Sequence, residues 1–215
     1  MRKKHKVANA PAMRRMPTYL HKLKELQEEG EEYISTTFLA RYMSVAPIIV
    51  RKDFELTDVE GIPGKGYKIS VLIDEVSRFL GWDTVTKTYL VGVGALGSAL
   101  LGHEEFASYG MDIVRVFDSS PVKIGTLIRG HEVFDFREMP RFASDDNPRL
   151  AIICVGPDQA QPVADSLVAC GVKAIWNFAN VCLDVPSGVV VQREVLAGSY
   201  ALLSRKMLEL TNPKG

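Results

Sequence analysis

Two hydrophobic periodicities divide this 215-residue chain. Over residues 17–80 apolar positions recur at three- and four-residue intervals, the spacing of one helix face, whereas over 88–192 they gather into short runs broken by glycine, proline and polar positions. In the first stretch Leu20, Leu23 and Leu26 recur among Lys22, Lys24, Glu25 and Glu28, and Gly30 supplies a stop. Ser35 can cap a short helix, Thr36–Met43, which is expected to turn Phe38, Leu39 and Tyr42 inward. Pro47 is tolerated in a first helical turn and opens a third helix over 47–55. Ile69, Leu72, Ile73, Val76, Phe79 and Leu80 mark a fourth, ended by Gly81. Between the last two, Gly61-Ile62-Pro63-Gly64-Lys65-Gly66-Tyr67 is so dense in turn formers that it can only be a tight loop or short hairpin. Helix, short turn, helix and a glycine-rich β-wing make a winged helix-turn-helix over 17–81.

The second stretch predicts strands at 88–93, 112–117, 150–155, 174–178 and 189–192, with helices after Ala95, Pro157 and Phe136. Alternation of strand and helix implies an α/β domain over 88–193 with an open parallel sheet, joined to the first domain by a linker at 82–87. A last helix over 194–211 carries Val195, Leu196, Tyr200, Leu203 and Met207 on one face. It follows the sheet instead of alternating with a further strand, so it either packs on a second subunit or caps its own sheet.

Charge adds one asymmetry. Lysines and arginines balance aspartates and glutamates at 26 each, yet Arg2, Lys3, Lys4, Lys6, Arg14 and Arg15 precede any acid, so residues 1–16 read as a flexible basic arm or a plain solvated terminus. No apolar run has the length of a membrane span and the tail lacks a signal-peptide core, which points to the cytoplasm. Cys154, Cys170 and Cys182 show no metal-binding spacing and read as reduced thiols packed as small hydrophobes. His5, His21, His103 and His131 are equally scattered, and no metal is expected.

The candidate chemistry lies where the second periodicity begins. Tyr89-Leu90-Val91 runs into Gly92-Val93-Gly94-Ala95-Leu96-Gly97, and Asp118 ends the next strand. Gly92 permits the turn out of the strand, Gly94 lets a pyrophosphate approach the backbone, and Gly97 lets the helix pack closely on the sheet. The helix N-terminus offers amides to phosphate, and a carboxylate at the end of the second strand can accept hydrogen bonds from ribose hydroxyls and repel a 2′-phosphate. The ligand expected from these residues is therefore NAD(H) rather than NADP(H). Because ligands lie beyond the carboxyl ends of strands in such sheets, Val155-Gly156-Pro157 and Asn177-Phe178-Ala179 are expected to line the opposite wall. In the first domain Arg51 and Lys52 on the third helix, Lys65 and Lys68 at the wing, and Arg41 at the end of the second helix could neutralise phosphates and read guanine edges.

Taken in order, Val50-Arg51-Lys52-Asp53, Gly64-Lys65-Gly66-Tyr67, Val91 through Leu100, Phe117-Asp118 with Pro121 and Lys123-Ile124-Gly125, Asn177-Phe178-Ala179 and Val185-Pro186 resemble the Rex family of bacterial redox-sensing repressors over about residues 17–205. The resemblance implies a homodimer that binds a palindromic operator in double-stranded DNA when NADH is absent or NAD⁺ is bound, and releases it when NADH binds. It further implies a C-terminal helix exchanged between subunits. It assigns Arg41, Ser44, Pro47, Arg51, Lys52, Lys65 and Tyr67 to the DNA surface, and Gly92, Gly94, Ala95, Leu96, Gly97, Asp118, Ser119, Lys123, Val155, Gly156, Pro157, Asn177, Phe178 and Ala179 to the cofactor site. His21, His103 and Glu194, where the family commonly has Arg, Tyr and Asp, together with Tyr200, map to an inter-subunit switch, which two histidines facing a carboxylate would make pH-dependent. Other departures are Ile48-Ile49 where a Gln usually precedes the Val-Arg-Lys-Asp run, Glu55-Leu56-Thr57-Asp58 for Ser-Tyr-Phe-Gly, and Pro63 for a wing Arg. Two alternatives stay open: an NAD-dependent dehydrogenase, and a cofactor-binding interaction module with weakened DNA binding.

Overall fold

The computed structural model describes residues 9–211. It separates into two compact units, one extending to Val85 and taking in Phe106–Gly110, the other comprising Thr86–Glu105 and the chain from Met111 onward.

In the first unit helix α1 spans Ala10–Glu28 and buries Ala12, Met16, Tyr19, Leu20, Leu23 and Leu26 along one stripe. The expected basic arm at 1–16 is thus corrected: its first eight residues lie outside the described chain, but residues 10–16 are helical, and their apolar stripe is the reason. After strand β1 (Tyr33–Ile34), helix α2 (Thr36–Met43) starts where Ser35 Oγ accepts the Phe38 amide. Of the three side chains expected to point inward from it, only Leu39 is buried; Phe38 and Tyr42 are about half exposed, because Ala40 takes the second inward position. Helix α3 spans Pro47–Phe54. Strand β2 (Tyr67–Lys68) pairs antiparallel with β1, and an Ile62–Gly66 bridge closes the tip of the wing. Gly66, at φ +93°, passes so close to the Ile34 carbonyl that a Cβ would lie 2.2 Å from its oxygen. Helix α4 (Ile69–Leu80) ends at Gly81 in the left-handed region, as expected. These elements share one core around Tyr19, Leu39, Phe54 and Leu72. Within residues 82–87, Trp82 stacks on Tyr109 at 4.4 Å and Thr86 pairs in the sheet of the second unit.

That sheet holds strands β3 (Thr86–Val91), β4 (Met111–Asp118), β5 (Leu127–Ile128), β6 (His131–Asp135), β7 (Leu150–Ile153), β8 (Ala174–Asn177) and β9 (Val190–Arg193). Their order is β5-β6-β4-β3-β7-β8-β9, parallel throughout except for β5. Helices α5 (Ala95–Leu101), α6 (Glu105–Ser108), α7 (Met139–Asp146) and α8 (Pro157–Ala169) lie between strands, and α9 (Leu196–Thr211) closes the described chain. Strand residues alternate between the two faces: Tyr89, Val91, Phe117, Ile153 and Ile175 join the α8 side chains Val163, Ala164 and Leu167, while Leu90, Val116 and Ile152 meet Leu101 on the other face. The β5–β6 hairpin is an addition to the expected strands. It turns on Arg129 and Gly130, both at positive φ, a geometry that Asn-Gly announces in a sequence and Arg-Gly does not. Among the described residues no helix is long and apolar enough to cross a membrane.

Candidate functional site

Strand order reverses between β3 and β7, so the loops leaving these two neighbours diverge and leave a crevice at their carboxyl ends. Four glycines bound it, and they are glycine for two different reasons. Gly92 has φ +94°, and a Cβ there would lie 2.6 Å from the Cys154 carbonyl oxygen; a Cβ on Gly97 would lie 1.9 Å from the carbonyl oxygen of Gly92. Both are required by the turn and by helix-to-strand packing inside the chain. Gly94 and Gly156, the N-caps of α5 and α8, have neither positive φ nor a neighbour within 4 Å of an ideal Cβ. Neither a steric neighbour nor a left-handed backbone asks for glycine at either place; an N-cap merely favours it over alanine. Space kept free of side chains at the starts of two helices, one on each wall, fits a pyrophosphate approaching the backbone. Ala95 and Leu96 continue the exposed stretch after Gly94.

Asp118 is at the carboxyl end of β4 and only 8% exposed. Its Oδ2 accepts from the Val93 amide and the Lys123 ammonium, both at 2.9 Å, and its Oδ1 from the Ser120 amide at 2.8 Å. Burial pushes its pKa up, but the ammonium of Lys123 and the two amides outweigh burial and hold it below the ordinary aspartate value. Asp118 and Lys123, both expected at this site, form an ion pair that the sequence did not announce. Because an ionised carboxylate can accept about four hydrogen bonds, Oδ1 retains capacity for a hydroxyl. The residue next to it, Ser119, is exposed.

On the opposite wall Pro157 opens α8 beside Gly156, and Val155 packs against the Gly92 turn. Asn177 is fully buried and spends its amide inside the chain, donating to the Val181 carbonyl at 3.0 Å and accepting from the Ala179 amide at 2.9 Å. It braces the loop, in which Phe178 is half-buried and 5.0 Å from the Trp176 ring and Ala179 is itself buried. Burial pushes the Cys154 thiol up to about 12, so this sulfur, beneath the glycine turn, is a small hydrophobe rather than a redox group. All three cysteines are free.

In the first unit, Arg51 and Lys52 are exposed on α3. Arg51 and Lys65 line one cleft of about 400 Å³ between α3 and the wing. Arg41 is exposed in the last turn of α2, Ser44 caps that helix in the left-handed region, and Pro47 is exposed at the start of α3. Tyr67 lines the same cleft, and its half-buried ring packs 5.2 Å from Phe54 and against Gly61. The residues that fix α3 escaped sequence reasoning. Asp53 is 3% exposed and is gripped by Arg15 through two 2.7 Å bonds, with the Tyr19 hydroxyl donating at 2.8 Å. Burial and the neighbouring carboxylate both push the Tyr19 pKa well above its usual range. The available signal was an acid on the inward face of a helix, between Val50 and Phe54, where an unpaired charge is too costly to keep.

His21 Nε2 lies 3.2 Å from Glu25 Oε1 within α1, and Glu194 accepts from Trp176 Nε1 at 3.0 Å. His103 follows α5, where its amide donates to the Leu100 carbonyl. Among the described side chains of α9 none is buried, and Tyr200, Leu202, Leu203, Met207, Leu208 and Leu210 are all more than half exposed. Of the two placements expected for this helix, a cap on its own sheet is corrected by that exposure. Among the described residues no group of His, Cys, Asp or Glu is arranged to hold a metal.

Comparison with known proteins agrees with this division. A family model described as a CoA binding domain matches residues 83–181, and one described as a putative DNA-binding protein N-terminus matches residues 8–55. The chain is 42% identical to the redox-sensing transcriptional repressor Rex of Treponema denticola, across 95% of this chain and 97% of that protein. It is 32% identical to Rex of Bacteroides fragilis, across 92% and 90%. Among solved structures it is similar to RSP in complex with β-NAD⁺ and operator DNA, at 31% identity and TM-score 0.87 over 97% of this chain and 96% of that one. It is also similar to RSP in complex with β-NADH, at 30% identity and TM-score 0.85 over 97% and 98%.

Proposed function

The chain belongs to the Rex family of redox-sensing transcriptional repressors, and from that premise we propose that it is a homodimeric, cytoplasmic repressor whose hold on operator DNA is set by the nicotinamide dinucleotide in the β3–β7 crevice. The relatives are repressors, which sets aside the dehydrogenase alternative; a relative seen with operator DNA leaves the interaction module without support. The observation that carries the reading is the pair Gly94 and Gly156, the two crevice glycines that neither close packing nor backbone conformation requires.

The residues divide the work as follows. Gly94, Ala95, Leu96, Gly156 and Pro157 present backbone to the pyrophosphate, Asp118 and Ser119 face the ribose, and Lys123 keeps Asp118 ionised and in place. Phe178 supplies an apolar surface that favours the neutral reduced ring over the cationic oxidised one, since burying charge without a partner is unfavourable. The bound dinucleotide supplies only a difference in charge and shape, and the protein converts it into a choice between two arrangements. Arg41, Ser44, Pro47, Arg51, Lys52 and Lys65 face the duplex. The exposed apolar side of α9 is covered by a second copy of the chain, and a dimer sets the spacing of two half-sites. His21, His103, Glu194 and Tyr200 are assigned to contacts across that dimer, by position in the family. Equal operator release by NADH at pH 6 and pH 8 would remove a pH-sensing role for the histidines.

Calorimetry with NADH, NAD⁺ and NADPH tests the cofactor half. NADH is expected to bind most tightly; no heat with NADH overturns the reading.

A further inference from the structure

The recognition helix α3 and its C-cap Glu55 expose one stripe, Ile48, Arg51, Lys52 and Glu55, at the i, i+3, i+4, i+7 spacing of a single face, while Val50, Asp53 and Phe54 are buried on the other. Three of the four are charged. The fourth, Ile48, is 51% exposed and flanked by the exposed Pro47. A single exposed isoleucine on a protein surface is ordinary. This one lies in the first turn of the second helix of a helix-turn-helix, the turn that meets base edges, and next to the guanidinium and ammonium that would bring phosphate and base edges to it.

Resting on the operator-binding reading above, we propose that Ile48 is a specificity-determining residue that packs against the 5-methyl group of a thymine in each operator half-site. The major groove offers side chains many donors and acceptors but one apolar feature, that methyl group. A branched hydrocarbon has no donor or acceptor of its own, so it gains contact only there. Opposite cytosine N4 or adenine N6 it would leave a polar edge unsatisfied. Arg51, three residues on, rises about 4.5 Å along the helix, which puts its fork over a base pair adjacent to or one beyond that thymine. Bidentate binding to guanine O6 and N7 then makes a thymine and a guanine near neighbours in each half-site.

Deoxyuridine tests this directly, because it pairs as thymine does and lacks only the methyl group. A duplex is first selected from a random library with the full-length protein, and each thymine is then replaced in turn by deoxyuridine. At one position per half-site the wild-type protein should lose about fourfold in affinity, and about fifteenfold when both half-sites are changed, the effect of losing one buried methyl group at each. Ile48→Ala should bind the thymine and deoxyuridine duplexes equally while keeping the thermal stability of the wild type, since the side chain is largely outside the core. Indifference of the wild-type protein to every replacement, or a full thymine preference kept by Ile48→Ala, overturns the proposal. Recovery of no duplex at all would contradict operator binding itself, and this inference with it.

Discussion

The glycine turn after β3 and the exposed stripe of α3 are built on opposite plans. In the turn, main-chain atoms approach so closely that Gly92 and Gly97 have no substitute, and what the turn offers a ligand is mostly backbone. On α3, backbone is buried in its own helix and everything offered to a partner is side chain, held at the right angle from behind by Arg15, Tyr19 and Asp53. A backbone site tolerates almost no change and recognises something common to many ligands, a phosphate. A side-chain site tolerates change at little structural expense, so it is where relatives that share a fold can differ in the sequence they read.

The sharpest break of the comparison is Gly97→Ala, whose Cβ would meet the Gly92 carbonyl oxygen at 1.9 Å. It should destabilise the second unit by about 3 kcal/mol or more, visible as an early thermal transition with loss of NADH binding. Next, Asp53→Ala leaves the Arg15 guanidinium without its partner. It should cost about 3 kcal/mol in the first unit, abolish operator binding in mobility shifts and leave NADH calorimetry unchanged. Arg51→Ala should keep stability while weakening operator binding by roughly tenfold, with a shallower dependence on salt. Gly94→Ala sharpens the contrast from the other side. With open space around the new methyl group, the loss of stability should be about 1 kcal/mol, that of a poorer N-cap, yet NADH affinity should fall roughly tenfold because the methyl group occupies the pyrophosphate's place.

The smallest effect concerns pH. The folded pKa of Asp118 is depressed, so its ion pair contributes fully above the ordinary aspartate range of about 3.9 and is lost as pH falls through the lower folded value. The stability difference between wild type and Asp118→Asn should therefore be constant from pH 5 to pH 8 and shrink below about pH 4.

Much of this was legible in the sequence because period and punctuation agreed. Gly81 ends α4, Ser35 caps α2, and Gly92, Gly97 and Asp118 mark the β3–α5–β4 unit where they were expected. What escaped was whatever depends on a distant partner. Phe38 and Tyr42 fit an inward face by spacing alone, but Leu39 and Ala40 fill it. Arg15 looked like part of a basic tail because its partner Asp53 is 38 residues away. Lys123 was legible as a candidate lining residue, but not its ion pair with Asp118. The apolar face of α9 was visible as a pattern, but only the folded chain shows that its own sheet leaves that face bare.

On the proposed function, reduced dinucleotide in the crevice releases DNA from α3 and the wing. Fluorescence polarisation of a labelled operator duplex, titrated in parallel with NADH and NAD⁺, measures this in one experiment. NADH is expected to dissociate the complex while NAD⁺ leaves it intact. Equal release by both, or by neither while both still bind the protein, would contradict it.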